Sequence, residues 1–89
     1  MVTIKFFAVL KKMSGREDYR LSIHQPMPLK QIFDQIEMEI PHFRNIMKEG
    51  RALVAINHEM ADENSIVHDG DEIALLPPFA GGSGIRSDS

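Results

Sequence analysis

The sequence has no cysteine, which excludes a disulfide framework, thiolate metal sites and a cysteine nucleophile while leaving the redox compartment open. It also lacks an excess of positive charge. Ten Lys and Arg against thirteen Asp and Glu give a formal net charge of -3, and no basic run is longer than Lys11-Lys12. Such a chain has no electrostatic attraction for a phosphate backbone, so nucleic acid is not an expected partner. Long hydrophobic runs are absent as well. The apolar opening from Met1 to Leu10 is broken by Lys5 and carries neither the basic start nor the small-residue cleavage site of a secretory signal. The expectation is a cytoplasmic protein that makes no use of a membrane.

What is present is the composition of an ordinary globular domain, 43% hydrophobic and 26% charged over 89 residues. That length allows one small core and no second domain. Val2, Ile4, Phe6, Ala8 and Leu10 share one parity and Thr3, Lys5, Phe7, Val9 and Lys11 the other. This alternation predicts a first strand across residues 2–11 with the first set facing the core. Ser14-Gly15 supplies a turn, and Tyr19, Leu21 and Ile23 alternate within a second strand over 18–23, completing an N-terminal hairpin.

Pro28 is suited to the first position of a helix, where its missing N–H would be unpaired in any case. Leu29, Ile32, Phe33, Ile36 and Ile40 then follow one helical face. Burying five such side chains yields roughly 7–15 kcal/mol of gross transfer free energy, at about 1.5–3 kcal/mol each, so this helix is stable only when docked on a sheet. Pro41 ends it, and a shorter helix carrying Phe43, Ile46 and Met47 is expected to run to a cap at Gly50. Residues 52–56 read as a central strand, turned by Asn57-His58 into a brief return over 59–61. Asp69-Gly70 is another turn, leading to a last strand over 72–76 that Pro77-Pro78 stops because neither offers an N–H. The predicted fold class is α+β: a mixed sheet of about five strands with one main helix packed across it, the β-grasp arrangement of ubiquitin. Residues 1–80 form the expected domain and residues 81–89 a flexible tail.

Two segments taken together carry a resemblance: Ile4-Lys5-Phe6-Phe7-Ala8, and Asp69-Gly70-Asp71-Glu72-Ile73-Ala74 continued by Leu75-Leu76-Pro77-Pro78-Phe79-Ala80-Gly81-Gly82. With Ala55-Ile56-Asn57 in the central strand, the chain over residues 1–82 resembles the small subunit of molybdopterin synthase, within the wider group of ubiquitin-like sulfur carriers. The resemblance implies that an E1-like enzyme adenylates the carboxylate of the terminal glycine with ATP, and that a sulfur donor converts it to a thiocarboxylate. Gly82 would then carry the sulfur into the synthase large subunit, where a pterin precursor receives it. The carrier itself is expected to bind no cofactor or metal. Glycine suits the role because no side chain crowds the reacting carbon, and Gly81 lets a narrow tunnel close on the backbone. Six residues from Pro77 to Gly82 extend roughly 20 Å at about 3.3 Å each, enough to reach a buried partner site.

The same resemblance implies a hydrophobic docking patch at Phe7, Met60 and Leu76, with Lys11 where the family often has arginine and Lys12 where an acidic residue is common. Parity by itself leaves Phe7 as either a docking residue or an inconsequential apolar surface residue. Phe79 either anchors the tail against a partner, the favoured reading, or folds back on its own sheet. His24, His42, His58 and His68 are scattered over different elements without metal-ligand spacing, so solvated histidines are expected. Asp62-Glu63-Asn64 and Asp69-Gly70-Asp71 lack the ligand register of a calcium loop. Gly81-Gly82-Ser83-Gly84 has neither the lysine of a phosphate-binding loop nor the setting of a nucleophile elbow. No acid, base or nucleophile stands out in the folded body.

Seven residues, Ser83-Gly84-Ile85-Arg86-Ser87-Asp88-Ser89, follow the glycine pair, and an amide carbonyl at Gly82 cannot be adenylated as a carboxylate. Three explanations are ranked in order: a processing protease exposes Gly82, the segment was added in cloning, or carrier chemistry has been lost. The alternative functions are a sulfur carrier of another pathway such as thiamine, a protein modifier joined through Gly82 to lysines, and a ubiquitin-like module that binds without tail chemistry.

Overall fold

The computed structural model describes residues 1–78. In chain order these form β1 (Val2–Phe6), α1 (Val9–Ser14), β2 (Asp18–Leu21), β3 (Met27–Pro28), α2 (Leu29–Glu39), α3 (Phe43–Glu49), β4 (Leu53–Ile56), β5 (Glu59–Ala61), β6 (Ile66–Val67) and β7 (Glu72–Leu76). The main sheet runs β2-β1-β7-β4-β5, and β3 pairs with β6 in a separate short ladder. β1 and β7 are parallel at its centre, while the other neighbours are antiparallel. This is the expected mixed sheet of five strands.

The core lies between one sheet face and the helices. Val2, Ile4 and Phe6 of β1, Ile73 and Leu75 of β7, and Leu29, Ile32, Phe33 and Ile36 of α2 are buried, and so is Ile40 immediately after the helix. The predicted helical face is therefore the observed one. Phe43 of α3 is wholly buried and meets Phe6 edge-on at 6.3 Å and Phe33 at 5.4 Å between ring centroids, so the short helix is fastened to both layers. A Glu37 carboxylate oxygen accepts the Arg44 N–H at 2.8 Å, satisfying one of the open donors at the start of α3.

Three expectations need correction. The first strand does not run to residue 11. It ends at Phe6, Ala8 takes φ 52°, and the chain turns into α1, with the Leu10 and Lys11 N–H groups bonding the Phe7 and Ala8 carbonyls. Leu10 still reaches the core, but from a helix: Leu10 and Met13 are three residues apart and face inward together, while Ala8 is exposed. A short alternating stretch fits both periods, and tertiary packing chose the helical one. Gly15 is accordingly the left-handed cap of α1 at φ 76°, and β1 and β2 pair across a helix instead of a tight turn.

Pro28 precedes the helix instead of opening it. With φ -65° and ψ 149° it is extended, and two free donors of α2 are taken by the β5–β6 loop, Leu29 N–H to Ser65 O at 2.8 Å and Lys30 N–H to Glu63 O at 3.0 Å. That loop is ordered by Asp62, whose carboxylate accepts the Asn64 N–H at 2.8 Å. Gly50 does cap α3, but with φ -79°; the left-handed residue is Arg51 at φ 51°. Space rather than backbone conformation favours glycine at position 50, since a β-carbon there would lie 2.5 Å from Leu10 Cδ2.

Candidate functional site: the open sheet face and the root of the tail

Residues paired across a sheet point to the same side, so strand register assigns the face that the helices leave open. Leu53 pairs with Leu76, and because Phe6 pairs with Leu75, Phe7 falls beside Leu76. Its N–H bonds the Leu75 carbonyl at 3.1 Å, carrying the β1–β7 ladder one step past the end of the strand. One row across three strands therefore reads Phe7, Leu76, Leu53. The next row reads Lys5, Ala74, Ala55, Met60, and the one after that begins with Thr3 and Glu72.

Phe7, Met60 and Leu76, the three predicted docking residues, thus share one face opposite α2. Phe7 is 41% exposed and Met60 65%, with Leu76 half-buried. Leu53, 42% exposed, completes the patch and was missed in the sequence. Its only signal is the alternation of residues 53–56, which does not say which parity faces out until the pairing with β7 is known. Ala55 and Ala74 set small side chains between Met60 and the larger row, leaving the centre of the patch low. Beyond it the face turns polar, where Lys5 Nζ lies 3.3 Å from a Glu72 carboxylate oxygen across β1 and β7.

Lys11 is not on the sheet. It lies on α1, with Nζ 3.8 Å from a Glu17 carboxylate oxygen, and it lines a cleft with Lys5, Phe7, Ala8, Glu17 and Asp18. The structure therefore brings Lys11 and Phe7 to one concavity at the end of the sheet where β7 finishes. Phe79, Gly81 and Gly82, and the boundary proposed between 80 and 81, lie outside the described residues. What the described residues set is the tail's point of departure: Pro77 follows Leu76, the central member of the apolar row.

At the far end of the sheet, Asn57 and Asp71 join the β4–β5 turn to the start of β7. Asn57 Nδ2 donates to Asp71 Oδ1 at 2.9 Å, the Glu72 N–H donates to Asn57 Oδ1 at 2.9 Å, and the His68 N–H donates to Asp71 Oδ2 at 2.8 Å. Asn57 and His58 both take positive φ, the geometry of a tight hairpin turn. The Asp69 carboxyl is held below its ordinary range, first by hydrogen bonding to the Met1 ammonium and then by that group's charge.

Exposed Phe7, Leu53 and Met60 make this a surface suited to recognition. Among the described residues no polar or charged side chain is buried, and no three His, Asp or Glu side chains gather as a metal site. No helix among them is long and apolar enough to cross a membrane. Covering the exposed remainder of Phe7, Leu53 and Met60 would contribute on the order of 1 kcal/mol each, which is small beside the several kcal/mol lost on association. A partner held at this face would need contacts beyond these three side chains.

Comparison with known proteins fits this geometry. A sulfur carrier subunit of molybdopterin synthase from Aspergillus niger is 30% identical over 83 residues, covering 89% of this chain and 91% of that one. Among solved structures, a complex of subunits 1 and 2 of the molybdopterin-converting factor from Helicobacter pylori contains a chain matching with a TM-score of 0.61 and 30% identity, over 91% of this chain and 97% of that one. SAMP1 from Haloferax volcanii matches with a TM-score of 0.71 and 25% identity, over 91% and 98%. The ThiS family model matches residues 4–82, from the second residue on the buried side of β1 to the second glycine of the tail. Matched by that model from β1 through the Gly81-Gly82 pair, the chain belongs to the ThiS family.

Proposed function

We propose that this protein is a cytoplasmic sulfur carrier for molybdopterin formation, bearing sulfur as a thiocarboxylate on Gly82 after residues 83–89 are removed. The observation that carries the reading is the family match ending on Gly82, together with relatives that are themselves sulfur carrier subunits over nearly the whole chain. An E1-like enzyme would transfer AMP from ATP to the Gly82 carboxylate with release of pyrophosphate. A sulfur donor would then displace AMP and leave the thiocarboxylate. The large synthase subunit would hold the open face while the tail delivers sulfur in its interior, as the paired subunits in the H. pylori complex favour. A protease must act first, because Gly82 is followed by Ser83. ATP, sulfur donor and pterin are handled by the partner enzymes, and the carrier binds none of them as a cofactor.

Intact mass spectrometry of untagged protein from its native cells tests this. The expected species ends at Gly82 and is about 16 Da heavier than the free acid, through replacement of one oxygen by sulfur. Oxidation of any of the six methionines adds nearly the same mass, so fragmentation must locate the change at the C-terminus. If every molecule retains Ser83 to Ser89, the proposal fails. The likeness to SAMP1, and to a structure named small archaeal modifier protein 1 from the same organism, favours one second reading, a modifier joined through Gly82 to lysines, which would appear as higher-mass conjugates in the same cells.

A further inference from the structure

Beside the open face, α1 and the turn after it form a second concave surface, a groove of about 810 Å³ lined by Val9, Lys11, Lys12, Gly15, Arg16 and Glu17 among others. Its lining is mostly apolar and it lies largely open to solvent. A small molecule is usually buried over most of its surface in its site, so this shape suits a segment of another protein better. Val9, 45% exposed, supplies an apolar contact.

The charge of the lining is opposite to that of the chain. Three cations, Lys11, Lys12 and Arg16, meet one carboxylate, Glu17, in a protein of net charge -3. The Lys11–Glu17 pair, 3.8 Å apart with both side chains exposed, is weak. Arg16 lies over the Tyr19 ring, 5.5 Å from its centroid, and Lys12 makes no ion pair among the described residues. The groove is therefore a cationic spot, with two charges still available to a partner.

Its position is equally specific. β1 and β7 are parallel and finish at the same end of the sheet, where Ala8 leads into α1 and Pro77 leads into the tail. The cleft beside Phe7 shares Ala8, Lys11 and Glu17 with the groove, so the two concavities are continuous. A protein that covers Phe7 and takes the tail comes within a residue or two of Val9.

We propose that the α1 groove docks an acidic, apolar-bearing segment of the enzyme that receives the tail, with Lys12 and Arg16 meeting its carboxylates and Val9 its apolar side chain. Only the identity of that enzyme rests on the carrier reading. Charges at such a rim act chiefly on the rate and orientation of encounter and are screened by salt. They would let an acidic carrier approach an acidic docking segment in one orientation.

The direct test is an NMR titration of the isotope-labelled full chain with a short synthetic peptide alternating glutamate and leucine. Saturable shifts are expected at the Val9, Lys12, Gly15 and Arg16 amides, lost in K12E/R16E and suppressed as salt rises from about 50 to about 500 mM. No saturable shift at these amides overturns the proposal, and so does an unchanged response in K12E/R16E. A thymidine oligonucleotide that produces the same shifts at lower concentration would also overturn it, assigning the groove to nucleic acid. With the cognate large subunit, K12E/R16E should weaken association at low salt by about tenfold, whereas K30E/K48E on α2 and α3, which changes the net charge equally, should not. Equal weakening by both variants would reduce the effect to net charge and sink the idea. If the parent fails to bind that subunit at all, the carrier reading falls while the peptide titration still decides the groove.

Discussion

Replacing Gly50 with alanine should destabilise the protein, although its backbone conformation is one that alanine adopts freely. At φ -79° there is no left-handed strain to relieve or create, and removing a glycine from the unfolded chain would favour folding by about 0.4–1 kcal/mol. The opposing effect is contact. The added methyl would lie 2.5 Å from Leu10 Cδ2 and 3.1 Å from the Ile46 carbonyl oxygen. Leu10 is wholly buried and cannot swing into solvent, and the Ile46 carbonyl is held by the Gly50 N–H at 2.9 Å. Overpacking of this kind costs about 1–3 kcal/mol, so the net loss should be roughly 0.5–2 kcal/mol. For a domain of this size that lowers the thermal midpoint by about 4–8 °C per kcal/mol. Urea unfolding followed by far-UV circular dichroism would measure it, alone and combined with Leu10→Val, which removes the clashing methyl. The double variant should be more stable than the sum of the single effects predicts, by at least about 0.5 kcal/mol. Gly15→Ala is the contrasting case. Nothing lies within 4 Å, but φ is +76°, so its loss should come from backbone strain and be indifferent to Leu10→Val. A Gly50→Ala protein as stable as the parent, or strict additivity with Leu10→Val, would refute the reasoning. Because this contact seats α1 on α3, the placement of Lys11 and the neighbouring groove depends on it.

Other predictions concern the open face, the far turn and the edge of the sheet. Phe7→Ser and Leu53→Ser should each weaken binding to the cognate large subunit by about 1 kcal/mol or more, measured by titration calorimetry, with little change in unfolding midpoint; unaltered affinity in both would remove the face from the interface. Asn57→Ala should cost about 1–3 kcal/mol in urea unfolding, through lost hydrogen bonds to Asp71 and Glu72 and a positive φ, while Asn57→Gly should restore only the backbone share. Full recovery with glycine would show that the side-chain bonds contribute nothing. Tyr19, the single tyrosine, has its hydroxyl pKa raised above 10.0 by burial, then by the charge of Glu39, with Arg16 opposing. Its contribution to stability is thus complete below the unfolded value near 10 and is lost as pH rises from there through the higher folded value. Ultraviolet titration should place the midpoint above that of the urea-unfolded chain, and Glu39→Gln should lower it; coincident midpoints in the folded and unfolded protein would contradict this.

Much of the architecture is legible in the residues because the signals are local and redundant. The apolar stripe from Leu29 to Ile40 has a single period and a proline beyond each end, so helix, buried face and need for a sheet follow together. Asn57-His58 and Asp69-Gly70 mark turns by chemistry that few other conformations use. Pro77-Pro78 ends the last strand by lacking donors. The docking residues Phe7, Met60 and Leu76 came from resemblance, since parity told only that Phe7 lay opposite the core. Residues 7–11 misled because five residues satisfy a period of two nearly as well as one of 3.6, and the choice fell to Leu10 packing against Gly50, forty residues away. The β3–β6 ladder and the capping of α2 by Ser65 and Glu63 were hidden for a similar reason: their partners are distant in the chain and their side chains carry no pattern.

The sequence by itself determined the elements with strong periods, a net charge of -3, and the glycine pair that holds the proposed chemistry. Tertiary structure decided which apolar residues form one surface. Leu53 joins Phe7 and Leu76 only because β1 and β7 run parallel and β4 antiparallel in one particular register, and a slip of one residue would turn Leu53 inward. Register is set by the sum of many long-range contacts, which no local pattern contains.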